Sequence, residues 1–426
     1  MKFPERLAIP EDVLEIARTL EAAGCEAWCV GGAIRDTLLG VENTDYDIAT
    51  SATPDVIQRL FKHTVNVGER FGTVAVRTRR RYHEVTTFRK DVTTDGRHAV
   101  VEFGVSLEDD LARRDFTINA IAHHPLRHQW RDPFYGALDI QAKLIRAVGE
   151  PETRFREDYL RILRALRFAA RFDFEIDPRT WEALCATSEG LAQLSAERVR
   201  EEWYKGLRTA RSIPRLIELW ISSGGAAVWL PELLADPTSR PTPMVSPTGS
   251  PLVQRLSNVG RMPERTAALF ALLDARGADL PRDPVLLTAL LVINPVAVLS
   301  RLKAPNAEIA RAMAVLTGPA EPADHSLLGV RRWMAAVGDA ADDHTTLWRV
   351  RHGALPLWEP VMRGIRERNE PLTRKQLAVT GNDLREIGIA PGPQMGEVLD
   401  RLLSLVVDDP ALNRQETLLA RARSLK

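Results

Sequence analysis

The chain has 426 residues, of which 45% are hydrophobic and 27% charged, and its 57 Lys and Arg residues balance 57 Asp and Glu residues. This length exceeds what one compact core supports, so we expect two to four domains. The balanced charge argues against capture of nucleic acid by net charge, although a local basic track remains compatible with it. No apolar run reaches the length of a membrane span, and the N-terminus lacks a secretory signal. Three cysteines are too few for a disulfide framework, which suits a reducing compartment. We therefore expect a cytoplasmic protein.

Short strands and helices alternate in the first 150 residues. Residues 26–30 predict a strand that ends at a glycine pair, and residues 33–39 predict a short helix closed by Gly40. A candidate strand at 46–49 is followed by a helix from Thr53 to Phe61, with threonine as N-cap and proline at the first helical position. The pattern then predicts strands at 72–77 and 82–88, a helix at 107–111 and an irregular, later strand-like segment at 116–124.

Helices dominate after residue 150. Residues 157–171 place apolar residues and arginines at helical spacing, and residues 236–251, rich in proline, serine and threonine, predict an exposed linker. Further helices are predicted at 263–275, 284–293, 307–316, 326–337 and 394–407. The fold class is therefore α+β, with a small mixed β-sheet head followed by an all-helical remainder.

Two aspartates separated by one residue, Asp45 and Asp47, follow the glycine pair Gly31-Gly32. A glycine turn lets backbone N–H groups approach phosphate oxygens, and carboxylates two residues apart on a strand point to the same face. Such carboxylates can hold the divalent ions of a two-metal reaction on a nucleoside triphosphate. Glu84 is the candidate third carboxylate, although an exposed strand residue explains its pattern equally well.

Residues 113–119, Arg-Arg-Asp-Phe-Thr-Ile-Asn, form a second candidate binding segment. Arginine can hold phosphate bidentately, which suits Arg114, and Asp115 and Asn119 are short polar groups suited to a ribose hydroxyl. An arginine pair that complements the dipole at a helix C-terminus is the alternative interpretation.

Asp158, Arg161, Arg164 and Arg167 recur every third residue, so on a helix they form one slowly drifting stripe. On a wet surface such an ion pair would contribute roughly a few tenths of a kcal/mol. In a site, a carboxylate and a guanidinium together present the acceptors and donors that read the Watson–Crick edge of a base. The position of the stripe next to the other motifs favours the second interpretation.

These blocks, together with Asp132-Pro133-Phe134-Tyr135-Gly136, occur in an order that resembles the class II tRNA nucleotidyltransferase/poly(A) polymerase family. The motifs cover residues from about 25 to 210. The resemblance implies a catalytic nucleotidyltransferase head at 1–150, a neck for base recognition at 151–215, a body at 216–335 and a tRNA-binding tail at 336–426.

The resemblance also implies roles for individual residues. Asp45 and Asp47 would bind Mg2+, with Glu84 as the third catalytic acid. The residues that would contact the nucleotide are Gly31, Gly32 and Arg35 at the triphosphate, Arg114, Asp115 and Asn119 at the nucleotide and ribose, Asp158 and Arg161 as the protein template for the base, and Arg164 and Arg167 in support.

Members of this family differ in their product. The polar segment at 89–98 resembles the flexible loop that permits the switch to ATP, and the basic stretch of the poly(A) branch is not apparent at 61–68. We therefore expect template-independent addition of CCA to the tRNA 3′ end from CTP and ATP, with contacts to the acceptor and T arm. A poly(A) polymerase or a CC- or A-adding enzyme is the alternative. Tyr135 stands where the family often has a hinge glycine, which puts the flexibility of that hinge in question.

A catalytically idle RNA-binding protein on the same scaffold is a rival from another class. Such a protein would lack the acidic set, whereas Asp45, Asp47 and Glu84 are all present here. The sequence therefore favours an enzyme.

Overall fold

The computed structural model describes residues 3–41, 45–68, 72–79, 81–94, 99–234, 280–292 and 294–425. The chain divides into two compact units, Met1–Met262 and Pro263–Lys426. The described part of the first combines strands with helices and that of the second is helical, so the α+β prediction is confirmed. The predicted linker at 236–251 and the predicted helix at 263–275 lie outside the described residues.

A mixed β-sheet forms the centre of the first unit. In chain order the strands are β1 (Ala27–Val30), β2 (Asp47–Thr50), β3 (Thr64–Gly68), β4 (Thr73–Arg77), β5 (Tyr82–Thr87), β6 (Arg89–Thr94), β7 (Ala99–Phe103), β8 (Ala122–His123), β9 (Trp130–Arg131), β10 (Leu144–Ile145) and β11 (Glu175–Ile176). Over the described ranges the main sheet has seven strands in the order β3-β4-β5-β2-β1-β8-β9. Strands β2 and β5 run parallel, and the other neighbours in this sheet are antiparallel.

The segment likened to a flexible loop, 89–98, begins with a strand instead. Strands β6 and β7 pair as an antiparallel hairpin outside the main sheet, and the residues between them, 95–98, lie outside the described residues. Regular backbone pairing therefore replaces the loop over the described part of this segment.

Strand β1 is buried along its whole length because each residue of its sequence, Ala-Trp-Cys-Val, is apolar. Trp28 and Val30 belong to an apolar cluster that also contains Phe88 and Leu111. This cluster fixes the end of β1, where the glycine pair begins.

The helices of the first unit surround this sheet and continue beyond it. They are α1 (Glu11–Ala22), α2 (Gly32–Leu38), α3 (Pro54–Leu60), α4 (Leu107–Ala112), α5 (Gly136–Ala142), α6 (Pro151–Glu157), α7 (Leu160–Phe172), α8 (Pro178–Thr187), α9 (Ala196–Thr209), α10 (Ile213–Ser222) and α11 (Gly225–Trp229), with 3-10 turns at Thr117–Asn119, Ser188–Gln193 and Pro231–Leu233. Helix α7 packs on α9 and α10, and its buried face includes Leu163 and Leu166.

The predicted continuous helix at 157–171 is wrong at its start. Helix α6 ends at Glu157, Asp158 is extended with φ −153° and ψ 104°, and α7 begins at Leu160. The Asp158 carboxylate accepts a hydrogen bond from the Leu160 backbone N–H at 3.0 Å. Aspartate competes with the helix for such donors, so it favours a break at this point. Asp158 therefore does not share a helical stripe with the arginines that follow it.

The second unit consists of helices around apolar cores. The helices are α12 (Pro284–Leu291), α13 (Pro295–Arg301), α14 (Asn306–Thr317), α15 (Leu327–Val337), α16 (Ala340–His352), α17 (Glu359–Glu367), α18 (Gly381–Glu386), α19 (Pro393–Asp408) and α20 (Gln415–Arg423), with 3-10 turns at Arg374–Gln376 and Pro410–Leu412. The helices predicted at 284–293, 307–316, 326–337 and 394–407 correspond to α12, α14, α15 and α19. Across the described ranges, no helix is both long and apolar enough to cross a bilayer.

Candidate active site

The glycine pair forms a tight turn between β1 and α2. Gly31 has φ 74° and ψ −132°, a conformation that is essentially restricted to glycine, and it caps the N-terminus of α2. A Cβ atom added to Gly31 would lie 3.0 Å from Arg114 Nη1 and 3.8 Å from Asp47 Oδ2. Residues from three separated sequence blocks therefore meet at this turn.

The aspartate pair sits at the start of β2. Asp47 is its first residue and Asp45 lies just before it, so the strand starts later than predicted. Tyr46 between them is buried, and its hydroxyl lies 3.3 Å from Thr37 Oγ1, whereas both aspartates are exposed. This alternation agrees with the prediction that the two carboxylates share one face.

Glu84 joins the aspartates through the parallel pairing of β2 with β5. The register aligns Ile48 with Val85, so the preceding residues Asp47 and Glu84 adjoin across the two strands. Although the Asp47 side chain is accessible to solvent, the surrounding protein atoms desolvate its carboxylate, and this desolvation and the negative charge of Glu84 raise the pKa of Asp47 to about 6. Asp45 makes a smaller contribution in the same direction and Arg114 an opposing one. The structure therefore brings Asp45, Asp47 and Glu84 close enough for their charges to interact.

The donor set of this acidic trio suits a hard divalent cation. Carboxylate oxygens are the ligands that Mg2+ prefers, and the ion usually completes its shell with waters and substrate phosphates. Over the part of the chain that the structure describes, no group of three or more His, Cys, Asp or Glu side chains is close enough to hold a metal ion alone.

Arg114 faces the glycine turn because α4 positions it. Its Nη2 lies 3.2 Å from Asp110 Oδ2, and the neighbouring Arg113 binds the other oxygen of Asp110 at 2.8 Å. Burial alone would raise the pKa of Asp110, but the charges of Arg114 and Arg113 lower it. Arg114 Nε is buried without a hydrogen-bond partner among the described residues.

Asp115 and Asn119 lie together in the segment that follows. Asp115 is buried, and its Oδ1 accepts from the Phe116 backbone N–H at 2.8 Å and from Asn119 Nδ2 at 2.9 Å. Its other oxygen accepts from Arg164 Nε at 2.6 Å. Although burial opposes it, the charge of Arg164 and the Asn119 hydrogen bond lower the pKa of Asp115 to about 2. Asp115 is therefore ionised and joins this segment to α7.

Arg35 is buried and engages protein partners rather than standing free in the cleft. Its Nε and Nη2 donate to Asp36 Oδ1 at 2.8 and 2.6 Å, and its Nη1 donates to Asn119 Oδ1 at 2.5 Å. Through these bonds the Arg35 guanidinium holds α2 against Asn119. A direct contact of Arg35 with a triphosphate stays a prediction.

The four residues of the predicted stripe take different partners. Asp158 Oδ2 accepts from Arg198 Nη2 at 2.7 Å. Arg161 donates to Glu157 Oε2 at 2.6 Å and to the Arg113 carbonyl at 3.1 Å, which reaches the segment containing Arg114.

The remaining two arginines diverge further along α7. Arg164 reaches Asp115, as described above, whereas Arg167 is buried and pairs with Glu202 of α9 at 2.6 Å. The structure therefore brings Arg161 and Arg164 to the other motifs and turns Arg167 towards the helical core.

The charged partners that orient these site residues were not predicted from the sequence. Asp110 precedes Arg114 by four residues on a helix, a spacing that could have identified it. Arg198 and Glu202 lie on α9, and no local spacing connects either of them to α7.

The predicted hinge motif forms a turn before α5. Asp132 accepts hydrogen bonds from the backbone N–H groups of Gly136 at 2.7 Å and Ala137 at 3.0 Å. Tyr135 is left-handed, with φ 60° and ψ 30°, and is 70% exposed. A glycine would adopt this left-handed backbone without strain. Tyr135 therefore holds the conformation that favours glycine, the residue often found at this position of the motif. Whether this turn acts as a hinge stays a prediction.

Three family models match the chain in order. The Poly A polymerase head domain matches residues 27–146, the RNA and SrmB-binding site of polymerase A matches residues 173–236, and tRNA nucleotidyltransferase domain 2 matches residues 361–422. The first of these spans the glycine turn, the acidic trio and the segment around Arg114.

Similarity to individual proteins extends over nearly the whole chain. The CCA-adding enzyme of Levilactobacillus brevis is 35% identical over 427 residues, covering 98% of each chain. The CCA-adding enzyme of Geobacillus stearothermophilus is 34% identical over 418 residues, covering 96% of each. A crystal structure of the Bacillus stearothermophilus CCA-adding enzyme in complex with CTP superposes with a TM-score of 0.68 at 32% identity, covering 97% of this chain and 96% of that one. The chain therefore belongs to the CCA-adding enzyme family of tRNA nucleotidyltransferases, as its motifs imply.

Proposed function

We propose that this protein adds CCA to the 3′ end of tRNA from CTP and ATP, without a nucleic-acid template and with release of pyrophosphate. The observation that carries the proposal is the meeting of the Gly31 turn, Arg114 and Asp47 within a few ångströms. Full-length similarity to proteins named CCA-adding enzyme, and to one solved with CTP, supports this choice of reaction.

Asp45 and Asp47 would hold Mg2+ in this proposal, and Glu84 would act as the third catalytic acid. Bound Mg2+ would lower the pKa of the attacking hydroxyl and neutralise charge on the triphosphate and the leaving pyrophosphate. The protein's part is to present carboxylates on one face of adjoining strands, which β2 and β5 do. The ribose 3′ hydroxyl would lose its proton to solvent, and its oxygen would form a bond to the α-phosphorus as the bond to the leaving pyrophosphate breaks.

The nucleotide would lie between the glycine turn and α7. Backbone N–H groups at Gly31 and Gly32, with the Arg114 guanidinium, suit the triphosphate, because a glycine turn and an arginine fork both accommodate phosphate oxygens. Arg35 would support this turn from behind through its bonds to Asp36 and Asn119.

The sugar and the base would contact the segments that follow. Asp115 and Asn119 would bind the ribose, although in the structure they also bind each other. Asp158 and Arg161 would read the base by offering an acceptor and a planar donor pair, which is the chemistry of a Watson–Crick edge.

Arg164 and Arg167 would support the base-reading residues through the ion pairs that hold them. Arg164 is held by Asp115 and Arg167 by Glu202. A carboxylate partner fixes the direction of each guanidinium, so the pairs hold α7 in place.

The tRNA would contact more of the chain than the head. We propose that the tail at 336–426 binds the acceptor and T arm, which agrees with the match of residues 361–422 to a tRNA nucleotidyltransferase domain. We also propose a cytoplasmic location, because all three cysteines are free thiols, as a reducing compartment favours.

The decisive experiment extends tRNA substrates that end before CCA, after CC and after CCA. The purified protein receives labelled CTP, labelled ATP or both, and the product ends are sequenced. We expect CTP to extend the first substrate by two residues, ATP to extend the CC substrate by one, and the CCA substrate to remain unchanged. Long adenosine runs would show a poly(A) polymerase, and addition of one nucleotide type alone would show a partial enzyme. No incorporation of either label would refute the proposal.

A further inference from the structure

Helix α7 is joined to the nucleotide-facing segments by a chain of hydrogen bonds. Arg164 Nε donates to Asp115 Oδ2 at 2.6 Å, and Asn119 Nδ2 donates to Asp115 Oδ1 at 2.9 Å. Arg35 Nη1 then donates to Asn119 Oδ1 at 2.5 Å. These bonds lead from α7 through residues 115–119 to α2.

The chain of bonds returns to α7 through Asp36. Arg35 Nε and Nη2 both donate to Asp36 Oδ1, and Arg171 Nη2 donates to Asp36 Oδ2 at 3.1 Å. Asp36 is 5% exposed, so its two oxygens are used by two arginines away from bulk solvent. The bonds therefore form a closed ring whose two ends, Arg164 and Arg171, both lie on α7.

Arg35 also contacts aromatic side chains of α7. The Arg35 guanidinium lies 5.0 Å from the centroid of the Phe168 ring and 4.8 Å from that of Phe172. Arg164 and Arg171 are seven residues apart, which is close to two helical turns, so they project from the same side of α7. Two attachment points at this separation fix the rotation of the helix as well as its distance.

We propose that Asp36 and Arg171 are positioning residues that hold α7, with the base-reading residues Asp158 and Arg161 at its start, in register with the Gly31 turn. This inference rests on the proposed function. Asp36 lies on α2, whose N-terminus carries the glycine pair, so one carboxylate connects the phosphate-binding turn to the base-reading helix. Without Arg171, α7 keeps its attachments at Asp115 and Glu202 but loses the one that ties its C-terminal turn to α2.

The expected consequence is a loss of turnover rather than of nucleotide binding. Arg114, which would bind the triphosphate together with the Gly31 turn, donates to Asp110 and to the Asn119 carbonyl rather than joining the ring through Arg171. A base held out of register reacts more slowly, because small errors in the position of reacting groups reduce the rate steeply. A role limited to stability would instead reduce the amount of folded enzyme and leave its kinetic constants unchanged per folded molecule.

The test compares Arg171→Met with Arg171→Lys in steady-state addition of CTP and ATP to tRNA. We expect Arg171→Met to lower kcat about ten-fold with both nucleotides while the KM for each stays within about two-fold. Arg171→Lys keeps a charged donor for Asp36, so we expect its kcat to stay within about three-fold of the wild type. Circular dichroism and thermal melting of each preparation give the folded fraction, to which kcat is normalised.

Arg179→Met is the matched control, because Arg179 pairs with Glu150 on the surface of the same unit and lies outside the ring. We expect its kcat and KM to equal those of the wild type. If Arg171→Met does not fold, Arg171→Gln, which keeps a donor without the charge, gives the same comparison against lysine.

A wild-type kcat in Arg171→Met, or equal losses in the methionine and lysine variants, would overturn the positioning role. Both results require a wild-type enzyme that adds CCA. If the wild type adds no nucleotide, the proposed function fails instead, so the two failures are distinguishable.

Discussion

Gly31 combines two constraints in one residue. Its backbone has φ 74° and ψ −132°, and a Cβ atom added there would lie only 3.0 Å from Arg114 Nη1. A residue with a Cβ would strain the turn and displace the guanidinium that faces it. The proposed triphosphate site therefore depends on the absence of a side chain here.

Gly31→Ala is expected to raise the KM for CTP and ATP at least several-fold and to lower stability by about 1–2 kcal/mol from backbone strain. Gly40→Ala is the control, because Gly40 also has a positive φ, 73°, but nothing lies within 4 Å of its added Cβ. The control is expected to lose stability with unchanged KM. Equal KM values for the two variants, measured by steady-state kinetics, would argue against a role for the turn in binding nucleotide.

His123 shows how burial alone can create pH dependence. It is fully buried on β8, and both ring nitrogens lack a hydrogen-bond partner among the described residues. Its ring lies against that of Trp130, with centroids 4.5 Å apart and planes tilted by 56°. Burial, followed by the charges of His128 and His124, lowers the pKa of His123 to about 4. The folded protein therefore holds this imidazole neutral at a pH where an unfolded chain would protonate it.

The unfolding free energy should consequently fall as the pH decreases from about 6.5, the usual histidine pKa, to about 4. Within that window the unfolded state binds the extra proton, and the loss contributed by His123 reaches on the order of 3 kcal/mol. His123→Leu should reduce the slope of stability against pH, measured by urea unfolding at several pH values, whereas His63→Leu at an exposed site should not. An unchanged slope in His123→Leu would refute the assignment.

Helices α7 and α9 are joined by a buried ion pair. Arg167 Nε lies 2.6 Å from Glu202 Oε2, and the two side chains are 8% and 4% exposed. The neighbouring Glu201 pairs with Lys205 at 3.5 Å on the surface of the same helix, where both side chains are more than half exposed. Adjacent residues of α9 thus provide a buried and an exposed ion pair for direct comparison.

Glu202→Gln should lower the unfolding free energy by about 3 kcal/mol, because it leaves the buried Arg167 charge uncompensated. Glu201→Gln should change it by less than about 1 kcal/mol, since exposed ion pairs contribute little. Urea denaturation of both variants measures the difference. A loss no larger for Glu202→Gln than for Glu201→Gln would show that the buried pair does not hold the two helices together.

Local patterns predicted the elements that carry the site, but not the partners that orient it. The glycine turn, the paired aspartates and the segment from Arg113 to Asn119 could be identified because their chemistry depends on short spacings. Glu202, the partner of Arg167, could not be predicted because it meets α7 through the packing of α7 on α9. Asp36, the partner of Arg171, could not be predicted because it is 135 residues away along the chain. The helix break at Asp158 was missed because its cause is a side-chain hydrogen bond to the Leu160 backbone N–H.

At the scale of the whole molecule, chemistry and tRNA binding should be separable. The acidic trio lies in the head, whereas the family match for the tRNA nucleotidyltransferase domain lies at residues 361–422. With no net charge, the chain must bind tRNA through local surfaces rather than through its overall field. Removing the carboxylates should therefore abolish the reaction and leave most of the tRNA affinity.

The double substitution Asp45→Ala and Asp47→Ala is expected to lower addition by at least about 1,000-fold, because both proposed metal ligands are lost. The Kd for tRNA, measured by filter binding, should stay within about three-fold of the wild type. The surface variant Arg179→Met serves as the control for both measurements. Retained activity would show that the metal assignment is wrong, and a lost tRNA complex would show that the head contributes most of the binding.

The parallel pairing of β2 with β5 has a consequence for biosynthesis. Asp47 and Glu84 adjoin only after α3, β3 and β4 have been made and β5 has been inserted beside β2. A nascent chain that has not yet emerged past β5 cannot assemble its acidic trio, however complete its glycine turn and aspartates are. Pairing between segments distant along the chain is slow compared with local helix formation, so the catalytic centre should mature late relative to α1 and α2 during translation.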